Sequence, residues 1–170
     1  MKGQTDPHQP TNTPATSLPL DDITGAIIDA AVNIHIALGP GLLESVYEAV
    51  LARALERRGL FIERQKIIRF EYDGMVFEEG LRVDLLVEKS VIVELKSVEK
   101  LAPVHSKQLL TYLRLLDLPV GLLCNFGAAT FKEGLHRIVN KLSPADSPQL
   151  RINLPATPAQ SSPPKKDHIL

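Results

Sequence analysis

Between Leu81 and Val98 the sequence reads LRVDLLVEKSVIVELKSV, and this stretch limits the fold more than any other. Two runs of Val, Leu and Ile flank Glu88-Lys89-Ser90, which favours two strands joined by a three-residue turn. With the turn centred on Lys89, the register follows by arithmetic. Val87 faces Val91, Leu85 faces Val93 and Val83 faces Leu95 on one wholly apolar face. On the other, Leu86 meets Ile92, Asp84 meets Glu94 and Arg82 meets Lys96. Two carboxylates directly opposite each other repel at the ~5 Å separation of cross-strand β-carbons, so a positive group is expected between them.

The rest of the chain is read by periodicity and by its breaks. Asp21 or Asp22 is expected to cap a helix that runs to about Leu38, with Ile27, Ala30, Ala31, Ile34 and Leu38 as its apolar stripe. Gly39-Pro40-Gly41 ends it. A second helix is expected from about Leu42 to Arg58, with Leu43, Val46, Tyr47, Val50, Ala54 and Leu55 turned inward and Gly59 closing it. Residues 61–72 suit a strand, and Asp73-Gly74 is a hairpin signal. Pro103 and the spacing of Leu109, Leu110, Leu113 and Leu116 predict a third helix over about 103–117. VGLLCNF, short and apolar without alternation, suits a strand buried on both faces. The final FKEGLHRIVNKL suits a short helix or a further strand, and the helix is preferred. This order predicts an α/β fold, a central mixed sheet flanked by helices with an αβββαβ core.

A chain of 170 residues, 44% hydrophobic and 23% charged, is an ordinary globular chain of one domain. Residues 1–19 and 143–170 are rich in Pro, Ser, Thr and Gln, and bury too little to offset the entropy of ordering. They are expected to be disordered tails around a domain over 20–142, with Leu150, Ile152 and Leu154 able to dock briefly as a strand. A formal net charge of -1 excludes coating of nucleic acid by bulk positive charge, so any such contact must be local. The one cysteine, Cys124, excludes an internal disulfide and reads as a small buried hydrophobe. No secretory h-region opens the sequence, and no run approaches the ~18 apolar residues that span a bilayer. No membrane association and a cytoplasmic location are the resulting expectations.

Three constellations carry chemistry. Asp84, Glu94 and Lys96 form D-x9-E-x-K on adjacent strands, and residues two apart on a strand share a face. Two hard oxygen donors at one end of a sheet suit Mg²⁺ or Mn²⁺, and the lysine could orient water or neutralise charge on phosphorus. A solvent-facing ion-pair cluster is the alternative reading of the same spacing. Glu44, in the motif Gly41-x-x-Glu44-x-x-Tyr47, is either a site acid or a residue that complements the helix dipole. Gln108 and Tyr112, an i, i+4 pair, could contact a phosphate or base, or form a solvated helix edge. His35 and His136 lack partners at metal-ligand spacing and read as structural or surface residues.

GLLESVYE, RVDLLVE, VIVELKSVE and QLLTYLRLL occur in this order, and together they resemble the bacterial GxxExxY protein family of the PD-(D/E)XK nuclease-like superfamily. The resemblance covers about Ile23 to Asn140. It implies a restriction-endonuclease-like core and hydrolysis of nucleic acid, with DNA favoured, by Mg²⁺- or Mn²⁺-activated water. Asp84, Glu94 and Glu44 are implied metal ligands, and Lys96 is the implied lysine of the motif. Gln108 and Tyr112 are implied contacts to the substrate strand. Val83 stands where the superfamily pattern has proline. A homodimer or a protein partner would supply the grip that the overall charge does not. The competing expectation is a non-catalytic nucleic-acid- or protein-binding module on the same scaffold.

Overall fold

The apolar runs pair into a sheet whose faces are covered by helices in two separate layers. The structure, a computed structural model, describes residues 18–141. Residues 1–17 and 142–170, which hold nearly all of both expected tails, lie outside the described residues. Helix α1 is Leu20–Leu38 and α2 is Glu44–Glu56, followed by strands β1 Ile62–Tyr72, β2 Met75–Val87 and β3 Val91–Lys96. Helix α3, Pro103–Leu115, leads to β4 Val120–Asn125, and a four-residue α4, Phe131–Gly134, precedes β5 Leu135–Val139. The five strands lie in sequence order across one sheet. Neighbours are antiparallel except β3 and β4, which are parallel and are joined through α3. This is the α/β mixed sheet with flanking helices expected from the sequence.

Hairpin chemistry fixes the first two strands. Asp73 and Gly74 both have positive φ, 50° and 73°, between the facing pair Tyr72 and Met75. A two-residue loop with both φ values positive matches the right-handed twist of its strands, and glycine adopts it without steric cost. Strand β4 is buried along its whole length, as its unalternated sequence requires, and Cys124 within it is fully buried. Burial pushes its thiol up to about 12, which keeps it inert.

One face of the sheet packs against α1 and α2 through Ile27, Leu51, Leu55, Leu85, Val93 and Leu122, among others. The other packs against α3 through Leu109, Leu113, Ile92 and Leu123. Phe126, at the end of β4, stacks on Tyr47 of α2 with centroids 4.4 Å apart and planes 9° from parallel. His35 is buried, with its Nε2 3.0 Å from the Ala128 carbonyl oxygen, and so is a structural residue.

Four local expectations are corrected. Asp21 and Asp22 lie in the first turn of α1, which begins at Leu20 and has no side-chain cap. On α2 the inward residues are Tyr47, Glu48, Leu51, Ala52 and Leu55, while Leu43, Val46 and Val50 are exposed. Tyr47 and Leu55 of the expected stripe do face inward, and Leu43, Val46 and Val50 repeat at helical spacing along its outer edge. Leu38, given to the α1 stripe, is likewise exposed. The final segment is mainly strand: α4 is a single turn, and Leu135–Val139 pairs antiparallel with β4.

Candidate functional site

The site lies where β2 and β3 part. Near the turn their register is the expected one, with Val87 facing Val91, Leu86 facing Ile92 and Leu85 facing Val93. The ladder stops there, so the expected pairs Val83–Leu95, Asp84–Glu94 and Arg82–Lys96 do not form. The cause is a change of face. Leu85 and Val87 pack on the α1/α2 side, yet Val83, which alternation places with them, packs on the α3 side beside Ile68. Strand β1 changes face at the same level: Ile62 packs on the α1/α2 side and Ile68 on the α3 side, although both are even-numbered. Between them Gln65 has φ 49°, the left-handed conformation that few non-glycine residues adopt.

Turned in this way, Asp84 bridges the opening between the strands with its side chain. Its Oδ2 accepts the Leu95 N–H at 2.9 Å, and its Oδ1 accepts Gln65 Nε2 at 3.3 Å. Glu94, only 4% exposed, accepts Lys96 Nζ on Oε1 at 2.7 Å. Its other oxygen, Oε2, is buried without a hydrogen-bond partner. Lys96 Nζ also donates to the Leu95 carbonyl at 3.0 Å. Lys96 is thus a positive group near both acids, bonded to Glu94 and acting on Asp84 through its charge.

These contacts set the protonation of the site. Burial, and then the nearby Asp84 charge, raise Glu94 from 4.5 to about 7. Burial likewise raises Asp84, against the Leu95 N–H and the Lys96 charge, which lower it. Burial lowers Lys96, but its hydrogen bond and charge pairing with Glu94, aided by Asp84 and Glu44, outweigh that and raise it overall.

Glu44 stands at the far end of β3. Its Oε1 accepts the Ser97 N–H at 3.1 Å, while Ser97 Oγ donates to the Leu42 carbonyl at 2.7 Å. The loop before α2 is held by Tyr47, whose hydroxyl donates to the Gly39 carbonyl at 2.6 Å and accepts the Leu42 N–H at 3.2 Å. Glu44 and Tyr47 therefore work together: the tyrosine fixes the loop, and the loop and glutamate fasten Ser97, the residue that follows Lys96. On the β4 side, buried Asn125 performs the same service, bonding both the N–H and the carbonyl of Val98.

Asp84, Glu44, Glu48, Arg64, Arg82 and Ser97 are among the residues that line a groove of about 720 Å³. Gln108 and Tyr112 lie on α3, on the opposite side of the sheet from α2. Gln108 Nε2 donates to Tyr112 Oη at 2.6 Å, and no hydrogen bond joins either residue to Asp84, Glu94 or Lys96. The structure thus brings Asp84, Glu94 and Lys96 together, with Glu44 within electrostatic reach, while Gln108 and Tyr112 bond to each other.

Sequence reasoning missed Glu48 and Gln65. Glu48 is 6% exposed and accepts Arg64 Nε at 2.9 Å and Gln65 Nε2. Its signal was available, since it lies four residues after Glu44 on the same helix face. Gln65 had none, because a positive φ in mid-strand leaves no mark in composition.

Among the described residues, no three His, Cys, Asp or Glu side chains are arranged to hold a metal ion by themselves. The donor set nevertheless fits a hard divalent cation at two carboxylates: Glu94 Oε2 is a buried acceptor with nothing to accept from, and Asp84 keeps lone pairs beyond its two hydrogen bonds. No helix among the described residues is long and apolar enough to cross a membrane. Neither a curated protein nor a solved structure matches the chain. Residues 21–138, which span every element from the first turn of α1 into β5, match the PD-(D/E)XK nuclease superfamily. An acid on β2 and an acid and lysine two apart on β3 are the parts its name describes, and with a match over most of its length the chain belongs to that superfamily of nucleases.

Proposed function

We propose that the protein is a Mg²⁺- or Mn²⁺-dependent nuclease that hydrolyses phosphodiester bonds, with DNA as the favoured substrate. The observation that carries this reading is the unpartnered, buried Oε2 of Glu94 beside Asp84 and Lys96. A structural ion pair has no use for such an atom, because leaving a buried acceptor unsatisfied costs about 1–3 kcal/mol. A site that receives a cation does.

Asp84 and Glu94 would hold the metal, with Glu44 as a third acid at the groove. When bound, the ion would supply activation of water and neutralisation of charge on the phosphoryl oxygens. The other roles fall to the chain. Lys96, held protonated by Glu94, acts as a hydrogen-bond donor that orients water or meets charge developing on phosphorus. Burial keeps Asp84 and Glu94 in a setting where charge interactions are strong. Arg64 and Arg82, in the groove wall, suit the phosphates of a bound strand. Gln108 and Tyr112 on α3 would position the strand.

Purified protein incubated with single- and double-stranded DNA and RNA, with Mg²⁺ or Mn²⁺, tests the reading. Cleavage is expected from the wild type and not from a Glu94→Ala, Lys96→Ala double variant. Equal products from both would overturn it in favour of a non-catalytic binding module.

A further inference from the structure

We infer that Gln65 and Glu48 are positioning residues that hold Asp84 in its metal-binding orientation, a role that rests on the nuclease reading of the site. Gln65 Nε2 donates both to Glu48 Oε2 and to Asp84 Oδ1, so one amide group links a helix carboxylate to a strand carboxylate. Both neighbours are acceptors. The nitrogen of the amide, and not its oxygen, must therefore face them.

The backbone is bent to make this link. Gln65 is the residue of β1 with a left-handed φ, 49°, in the middle of a strand, where a non-glycine residue is strained. The facing pairs on either side, Arg64 with Leu85 and Lys66 with Val83, keep their register, and the strands exchange faces at the level of Gln65 and Asp84. The strained residue therefore sits directly across from the acid that needs aiming. Glu48 completes the arrangement. It is buried, it is anchored by Arg64 Nε at 2.9 Å, and its helix also carries Glu44. Partners that orient a metal-binding carboxylate typically change metal affinity by about 10- to 100-fold when removed.

Two measurements separate positioning from simple structural support. In metal-free protein, the Gln65 side-chain amide protons are expected to exchange with solvent more slowly than those of an exposed glutamine by NMR, and to lose that protection in Glu48→Leu. In calorimetric titration with Mn²⁺, Gln65→Leu and Gln65→Gly are expected to bind about 10- to 100-fold more weakly than wild type. Gln65→Gly is the decisive variant, because glycine relieves the left-handed φ. It should melt no lower than Gln65→Leu in chelator and bind Mn²⁺ no more tightly than that variant, whereas a glutamine that acted only through backbone strain would regain affinity as glycine. Unprotected Gln65 amide protons overturn the proposal, as does wild-type Mn²⁺ affinity in Gln65→Gly when Asp84→Asn has lost it. Absence of Mn²⁺ binding by the wild type overturns the metal-dependent reading and this proposal together.

Discussion

Lys96 Nζ sits 2.7 Å from Glu94 Oε1, so the lysine covers one oxygen of a carboxylate whose other oxygen is buried and unpartnered. The pair is lopsided. Lysine gains from it, while glutamate carries the burial cost and is raised from 4.5 to about 7. A carboxylate raised in the folded state favours folding in its protonated form. Its contribution is complete below pH 4.5 and is lost as pH rises through about 7. Asp84, also raised, acts in the same direction above its ordinary range. Metal-free wild type is therefore expected to lose stability relative to Glu94→Gln across that window, by up to about 3 kcal/mol. Urea unfolding in chelator at several pH values measures the difference between the two proteins, and parallel stability curves would contradict it.

Cleavage should divide the candidate residues into two groups. Asp84→Asn, Glu94→Gln and Lys96→Ala each remove a group that meets the reacting atoms in the proposed site, and each should lower kcat by at least about 10²-fold. Gln108→Ala and Tyr112→Phe break a hydrogen bond that these two residues make only with each other. They should raise KM and leave kcat within about threefold, the pattern of lost uniform binding. Steady-state kinetics on a labelled oligonucleotide separates the groups. A kcat defect in Tyr112→Phe as large as that of Lys96→Ala would place the α3 pair at the reacting centre.

Tyr47→Phe should destabilise the fold by about 1–2 kcal/mol. The variant keeps the stacked ring over Phe126 and loses only the hydroxyl that joins the Gly39 carbonyl to the Leu42 N–H. The same loop delivers Leu42 and Glu44 to Ser97, so cleavage should fall as well. Denaturant unfolding gives the stability change. Unchanged stability would mean that water satisfies the two backbone groups as well as the tyrosine does.

The elements of the sheet were legible in the sequence, whereas the facing of Asp84 and Glu94 was not. Turn chemistry at Asp73-Gly74 and around Lys89 is local, so both hairpins, and the register beside Lys89, were legible. The position of Asp84 was not. Alternation assumes that parity persists along a strand, and at Gln65 and Asp84 both strands break parity together. The expected repulsion between facing acids was right in substance, since Asp84 does raise Glu94, but it acts across an opening and not across a ladder. Glu48 was legible only in part: its spacing after Glu44 puts both acids on one helix face, but its partners Arg64 and Gln65 come from another element.

The two edges of α2 provide the sharpest contrast for mutagenesis. Leu43 is 74% exposed, whereas Leu51 is fully buried between the helix layer and the sheet. Helical spacing alone gave both edges of the helix an apolar repeat and could not rank them. Burial does rank them. Leu51→Ala removes methyl groups from packed surroundings and leaves a cavity, which costs about 2–5 kcal/mol. Leu43→Ala removes apolar surface that water already reaches, without adding a capping side chain at the start of α2, and should change stability by no more than about 0.5 kcal/mol. Thermal or urea unfolding of the two variants beside wild type measures this directly. A loss in Leu43→Ala comparable to that in Leu51→Ala would mean that this edge of the helix is covered in solution, and an unfolding midpoint that rises with protein concentration would identify a second copy of the chain as the cover.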